Sequence, residues 1–353
     1  MKILIIQQKM IGDVLTTSIL FEALRREYPE AELHYLIYPH TRAVVENNPY
    51  IDKLILFEDS DKNPLNFISF LQKIKKEKYE AVIDVYSKIG TALISAYSSA
   101  KTRISYHKWY TRFLYSNTFN YKTRLESSAG FAIENRMLLL QGISSNFPVE
   151  LKPKIYLEKA EILSSGKRLE KSGVSREKPL YMISVMGSSK NKTYPLEYLA
   201  VLLDQIVEKT QAQLLFNYIP SQSGEILRLY SRCKPLTQKH IFREIFGESL
   251  REFMALTYHC DSLIGNEGGA INMAKALNIP TFSIFSPKIS KDAWSLYEDE
   301  TNVAVHLKDY LPKSFEEKNT RKLDIPGLYE IFSPELIWPK LVEFLENLSI
   351  KNG

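Results

Sequence analysis

The chain reads as an α/β protein of two doubly wound domains, each a parallel sheet covered by helices on both faces. Three observations predict this. Short apolar runs alternate with segments whose apolar residues recur at three- and four-residue spacing. The alternation is interrupted once, by the proline-marked stretch Phe147-Pro148-Val149-Glu150-Leu151-Lys152-Pro153. The length, 353 residues at 44% hydrophobic content, suits two cores better than one.

Taken in order, the first domain spans 1–150. Lys2 to Ile6 is an apolar run that predicts a buried strand. A short loop with Gly12 follows, then a helix over 13–28, in which Val14, Leu15, Ile19, Leu20, Ala23 and Leu24 share one face. Further strands fall near 32–38, 53–57, 80–86 and 102–106, with helices near 64–77, 89–98 and 129–141. The second domain spans 151–333. Its strands lie near 180–186, 212–217, 261–265, 281–285 and 302–306. Its helices lie near 159–171, 195–209, 249–258 and 269–277. A last segment, 334–353, holds an amphipathic helix from Pro334 to Leu348, expected to pack back across the interface between the domains. A cleft between the domains is the expected ligand site. No internal repeat or low-complexity tract occurs.

Composition excludes several classes. No run of eighteen apolar residues exists, so no segment is expected to span a membrane. The chain enters a strand at once, without the pattern of a secretory leader, which predicts a cytoplasmic protein. Its cysteines, Cys233 and Cys260, lack metal-ligand spacing and read as reduced thiols. A net charge of +5 is too mild to imply nucleic acid.

Three stretches carry chemistry. The first is Met10-Ile11-Gly12-Asp13-Val14, between strand and helix. Such a junction puts one side chain into the crevice beyond the strand ends. By spacing alone Asp13 is a helix N-cap, worth about 1 kcal/mol with the dipole. The second is Ile264-Gly265-Asn266-Glu267-Gly268-Gly269, again strand, turn and helix. Backbone N–H groups at such a helix start suit a pyrophosphate. It lacks the Gly-x-Gly-x-x-Gly pattern, so a nicotinamide cofactor is not expected. The third is Met186-Gly187-Ser188-Ser189-Lys190-Asn191-Lys192-Thr193-Tyr194-Pro195, a polar loop ahead of a helix with Pro at its start.

These stretches, with Tyr28-Pro29-Glu30-Ala31 and Asn48-Pro49-Tyr50-Ile51-Asp52 in the first domain and 276–285 in the second, closely resemble glycosyltransferase family 9, the lipopolysaccharide heptosyltransferases and their relatives. The resemblance covers Met1 to about His306. It implies the GT-B fold and an inverting, metal-independent transfer of a sugar from a nucleotide diphosphate donor, with no cofactor. By family, the sugar is a heptose carried on ADP. Asp13 matches the family's catalytic base. Ser188, Ser189 and Lys192 match its diphosphate loop. A cation there stabilises charge that grows on the leaving group. Glu248 falls where the family's backbone meets the base; Asn217, Gln222 and Glu225 follow the next strand and are candidates to meet the ribose.

The chain departs from the family's Asp-Ser/Thr-Gly triplet and following histidine. Glu267 replaces the Asp, Gly268 the hydroxyl residue and Asn272 the His, whereas Gly269 is kept. Glu reaches one methylene further, and Asn272 keeps an N–H donor but does not titrate.

Lys101 to Arg124 holds six Lys or Arg, no Asp or Glu, and seven aromatics: Tyr106, Trp109, Tyr110, Phe113, Tyr115, Phe119 and Tyr121. This is either a solvated basic face over buried rings or a platform for an anionic glycolipid acceptor. Arg103, Lys108 and Arg112 are the acceptor candidates, through charge-assisted contacts. Interleaved aromatics suit a membrane interface, so peripheral contact with the inner face of the inner membrane is expected. The expected function is transfer onto a lipopolysaccharide core or related surface glycan. Two other readings stay open: a nucleotide-sugar epimerase on the same fold, and a non-catalytic sugar-nucleotide or glycan-binding protein.

Overall fold

A computed structural model describes residues 1–312 and 324–352. The chain forms two compact units, Met1–Tyr156 and Leu157–Gly353.

The first unit is a six-stranded, all-parallel sheet of β1 (Lys2–Ile6), β2 (Glu32–Ile37), β3 (Lys53–Leu56), β4 (Ala81–Asp84), β5 (Thr102–Tyr106) and β6 (Asn117–Phe119). The strands lie in the order β3-β2-β1-β4-β5-β6. β1 is central, and Ile3 to Ile6 are all apolar and fully buried because both of its faces are covered. One face carries α1 (Ile11–Thr17), α2 (Ile19–Glu27) and α5 (Phe131–Leu139), which pack on one another. Against the other lie α3 (Pro64–Lys76) and α4 (Ile89–Tyr97), where Phe70, Leu71, Ile74 and Ile94 meet Leu4, Ile6 and Val82.

Two local expectations change. The helix expected over 13–28 begins two residues earlier and breaks at Ser18, whose N–H reaches both Val14 and Leu15 carbonyls. The sixth strand was not foreseen, because three residues with polar Asn117 and Thr118 carry no periodic signal.

The second unit is a five-stranded parallel sheet: β7 (Leu180–Ser184), β8 (Gln213–Asn217), β9 (Ser262–Asn266), β10 (Thr281–Ile284) and β11 (Asn302–Val305). Their order is β11-β10-β9-β7-β8. Its helices are α6 (Lys159–Lys171), α7 (Leu196–Thr210), α8 (Ser223–Arg232), α9 (Pro235–His240), α10 (Leu250–Tyr258), α11 (Gly269–Ala276), α12 (Lys291–Trp294), α13 (Leu307–Tyr310), α14 (Ile325–Ile331) and α15 (Pro334–Asn352). The C-terminal helix α15 packs on α7, and its Ile337, Leu341, Phe344, Leu345 and Leu348 are part of this unit's core.

Each sheet has one point where the strand order reverses, and ligands of such sheets bind outside the carboxyl ends there. In the first unit that point lies between β1 and β4. In the second it lies between β7 and β9. The three chemical stretches follow β1, β7 and β9.

Candidate active site

Asp13 is the third residue of α1 and not its N-cap; Met10 holds that position. One carboxylate oxygen accepts the Met10 N–H at 3.4 Å. The other accepts from Arg136 Nη2 at 2.6 Å. Gly12 is helical rather than at a turn, and its carbonyl accepts the Thr16 hydroxyl. Tyr35 of β2 donates to the Val14 carbonyl at 2.8 Å, fixing α1 to the sheet.

Arg136 is the residue that sequence reasoning missed. It lies on α5, is 6% exposed, and its Nε donates to Thr17 Oγ1 at 2.8 Å. Nη1 donates to the Ala132 carbonyl at 2.5 Å. A buried guanidinium with this many partners is held in one geometry, and it holds Asp13 in turn. Asp13 remains 28% exposed, so one edge of the carboxylate stays open to a ligand. The available signal was the polar triplet Glu134-Asn135-Arg136 inside an apolar helix. Glu134 gathers N–H groups of Glu126 and Ser127 and the Lys122 ammonium, which shapes the loop before α5.

Across the reversal point, β4 ends on Asp84. The side chain is fully buried and accepts Tyr115 Oη at 2.6 Å and the Ser87 N–H at 2.8 Å. Burial pushes its carboxyl up to about 6, although these hydrogen bonds pull the other way. A folded value above the unfolded value of about 3.9 means that the protonated form is favoured by folding. The associated stability is complete below about pH 4 and lost as pH rises through about 6, a change of about 3 kcal/mol. Asp84→Asn should therefore gain on wild type by about that amount between pH 4 and 7, in urea unfolding. A difference independent of pH would show that Asp84 titrates normally.

The acceptor candidates separate. Lys108 follows the carboxyl end of β5 and donates its ammonium to the Ser87 carbonyl. Burial and neighbouring Lys88 push its ammonium below the usual value. Arg112 is exposed in a turn beyond it. Arg103 does not join them. It sits near the amino end of β5, and its guanidinium is engaged by the Leu114 and Ala100 carbonyls at 2.9 and 2.5 Å. Its part is to hold the loop to the strand. Of the seven aromatics, Tyr106 and Tyr115 are buried, whereas Trp109, Tyr110, Phe113 and Tyr121 are exposed.

In the second unit, the loop after β7 is closed on itself. A Cβ on Gly187 would stand 2.1 Å from the Lys192 carbonyl oxygen, so only glycine permits the approach. Its N–H donates to Thr193 Oγ1, and that hydroxyl donates to the Ser189 carbonyl. Ser188, Ser189 and Lys192 lie on this loop. Asn266 at the end of β9, unmarked by the sequence reading, clamps it. Its Oδ1 accepts the Tyr194 N–H at 2.6 Å, and its Nδ2 donates to the Ser184 and Val185 carbonyls. Ser286 donates to the Asn191 carbonyl at 2.8 Å.

Glu267, Gly268 and Gly269 follow directly. Burial raises the Glu267 carboxyl, and nearby Lys192 lowers it, so the two side chains share one neighbourhood. Gly268 has φ +145, which explains glycine where a hydroxyl residue was expected: side-chain residues rarely adopt that conformation. Asn272 is buried in the first turns of α11. Glu248 is exposed, its N–H bonded to Glu252; two residues before it, Phe246 pairs with Tyr218 at a ring separation of 4.6 Å. A cavity of about 760 Å³ is bounded by Lys190, Thr193 and Tyr194 of the loop, Glu225 and Arg228 of α8 and Tyr329 of α14.

Among the described residues no group of three His, Cys, Asp or Glu is assembled that could hold a metal ion. No described helix is long and apolar enough to cross a membrane.

Residues 67–323 match the family model of glycosyltransferase family 9 (heptosyltransferase). Lipopolysaccharide heptosyltransferase 1 of Campylobacter coli is 25% identical over 292 residues, covering 81% of this chain and 84% of that protein. The crystal structure of a family 9 glycosyl transferase from Veillonella parvula superposes with a TM-score of 0.78 at 18% identity, over 98% of this chain and 97% of the other. The ADP-heptose lipopolysaccharide heptosyltransferase II of Escherichia coli gives 0.72 at 17% identity, over 100% and 99%. The two-unit α/β architecture is that of these GT-B enzymes.

Proposed function

Because the chain belongs to glycosyltransferase family 9, the heptosyltransferases, we propose that it moves a sugar from an ADP-sugar, a heptose by kinship, onto an anionic surface-glycan acceptor of the lipopolysaccharide-core type. The first unit supplies the base and the acceptor contacts; the second holds the donor. The observation that carries this reading is Asp13, held by Arg136 through one oxygen at the reversal point of the first sheet.

The step is a single displacement. The acceptor hydroxyl oxygen attacks the anomeric carbon, the bond from that carbon to the diphosphate oxygen breaks, and the configuration inverts. The nucleoside diphosphate leaves with the electron pair, and the hydroxyl proton passes to Asp13. The Lys192 ammonium and the N–H groups of Ser188 to Asn191 and of Gly269 meet the charge that develops on the leaving group. Tyr218 and Phe246 offer a stacking surface for the base. A nucleotide-sugar epimerase is not favoured by the family match. Incubating donor alone separates the two, since an epimerase turns over without acceptor.

A thermal-shift panel of ADP-, UDP- and GDP-sugars tests donor choice, because a ligand at a hundredfold its dissociation constant adds about 2.7 kcal/mol. ADP-sugars should shift the melting temperature most; preference for another base would overturn the donor assignment. Lys192→Ala should weaken ADP binding and lower turnover together. Glu267→Ala should change the ranking of donor sugars while binding free ADP nearly as before. Equal losses of ADP affinity in both variants would refute that division between phosphate and sugar.

A further inference from the structure

Helix α4 contains no charged residue, although one side of it faces solvent. Ile89 is 62% and Leu93 43% exposed, and Tyr97 continues the stripe one turn on. Surface helices of globular proteins set charged residues there. The 112–114 turn packs against α4, and its loop adds Trp109 at 82% and Phe113 at 75% exposed. The Lys108 bond to the Ser87 carbonyl ties this loop to the start of α4.

The charges follow a pattern. From Val85 to Leu125 the chain has seven Lys or Arg and no Asp or Glu. Three of the exposed apolar residues directly follow a cation: Lys88-Ile89, Lys108-Trp109 and Arg112-Phe113. Among the described residues, Lys88, Lys108 and Arg112 form no ion pair with a carboxylate, whereas Lys122 at the far end of the segment pairs with Glu126 and Glu134.

We propose that the outer face of α4 and the 107–114 loop form the surface by which this protein docks on an anionic lipid bilayer. The proposal deepens the acceptor reading above and rests on it for its purpose, since a glycolipid acceptor is presented at such a surface. A bilayer fits both halves of the pattern. Apolar side chains enter the acyl boundary while the adjacent ammonium and guanidinium groups stay at the phosphates, and Trp favours that depth. Protein interfaces are depleted in Lys because its desolvation goes uncompensated. The basic segment legible in the sequence begins at Lys101, and Lys88, Ile89 and Leu93 lie outside it. Only the fold brings α4 beside the later loop.

The test is co-sedimentation of the full chain with vesicles of phosphatidylcholine alone or mixed with phosphatidylglycerol. Wild type should bind the mixed vesicles, lose binding as salt rises, and show blue-shifted emission that disappears in Trp109→Phe. The combined variant Ile89→Ser, Leu93→Ser, Trp109→Ser and Phe113→Ser removes exposed side chains only. It should bind vesicles at least about tenfold more weakly, with donor affinity and melting temperature kept. The pair Ile89→Ser and Leu93→Ser alone, outside the 101–124 segment, should keep turnover on a water-soluble acceptor fragment and lower it on acceptor embedded in vesicles. Asp13→Asn should sediment like wild type, which separates failure of docking from failure of the catalytic reading. Undiminished vesicle binding by the combined variant would overturn the proposal. So would a wild-type dimer that the combined variant dissolves, since the face would then belong to a second copy.

Discussion

Asp13→Asn is expected to lower turnover by about 10²–10⁴, the usual cost of losing a general base. Asparagine keeps the shape and still accepts from Arg136, so donor affinity should be unchanged. It does not take the hydroxyl proton. The structure adds a second effect that the position of Asp13 in sequence does not suggest. The guanidinium of Arg136 is buried, and the substitution removes its counter-charge. Breaking a fully buried pair costs about 3–5 kcal/mol; with Asp13 partly exposed, about 1–2 kcal/mol is the expected loss. Single-turnover rates, donor titration and urea unfolding measure the three quantities separately. Normal turnover in the variant would return Asp13 to a structural role at the start of α1.

Arg136→Met should reduce kcat by about tenfold or more while leaving the donor KM alone, because a carboxylate displaced by about 1 Å can cost a hundredfold. Thr17 Oγ1 loses its donor, and the variant should lose about 2 kcal/mol of stability, discounted from the fully buried case because solvent reaches Asp13. Arg136→Lys is the informative companion. Its single ammonium can meet Asp13 but cannot also serve Thr17 and the Ala132 carbonyl as the planar fork does. Partial recovery of kcat by Lys, with stability only partly restored, is the signature of positioning. If Met and Lys variants keep wild-type kcat while losing stability, Arg136 is merely a tie between α5 and α1.

Much of the fold was legible because parallel strands buried on both faces must be apolar along their length. Runs such as Ile3-Leu4-Ile5-Ile6 and Leu214-Leu215-Phe216 therefore announce themselves. What escaped was mostly short or locally polar, the ten-residue helix α8 being the longest element missed. β6 is three residues long, and the helix expected over 13–28 is cut at Ser18 by hydrogen bonds that hydropathy does not register. Arg103 and Lys108 looked equivalent as cations in one basic segment. Strand direction puts them at opposite ends of β5, a distance of about 3.3 Å per residue that composition cannot express.

The sequence by itself determined which residue types stand at the strand-to-helix junctions: Asp13 after β1, the glycine and lysine loop after β7, and the Glu267-Gly268-Gly269 turn after β9. Those choices are local, set by the turn geometry of each strand-to-helix junction. Only the tertiary structure decided which junctions are neighbours. Pairing of β7 with β9 sets Asn266 against the loop after β7, and packing of α5 on α1 sets Arg136 against Asp13, 123 residues away in sequence. Strand order and helix packing follow from burying the whole apolar surface at once. No single segment's periodicity contains them.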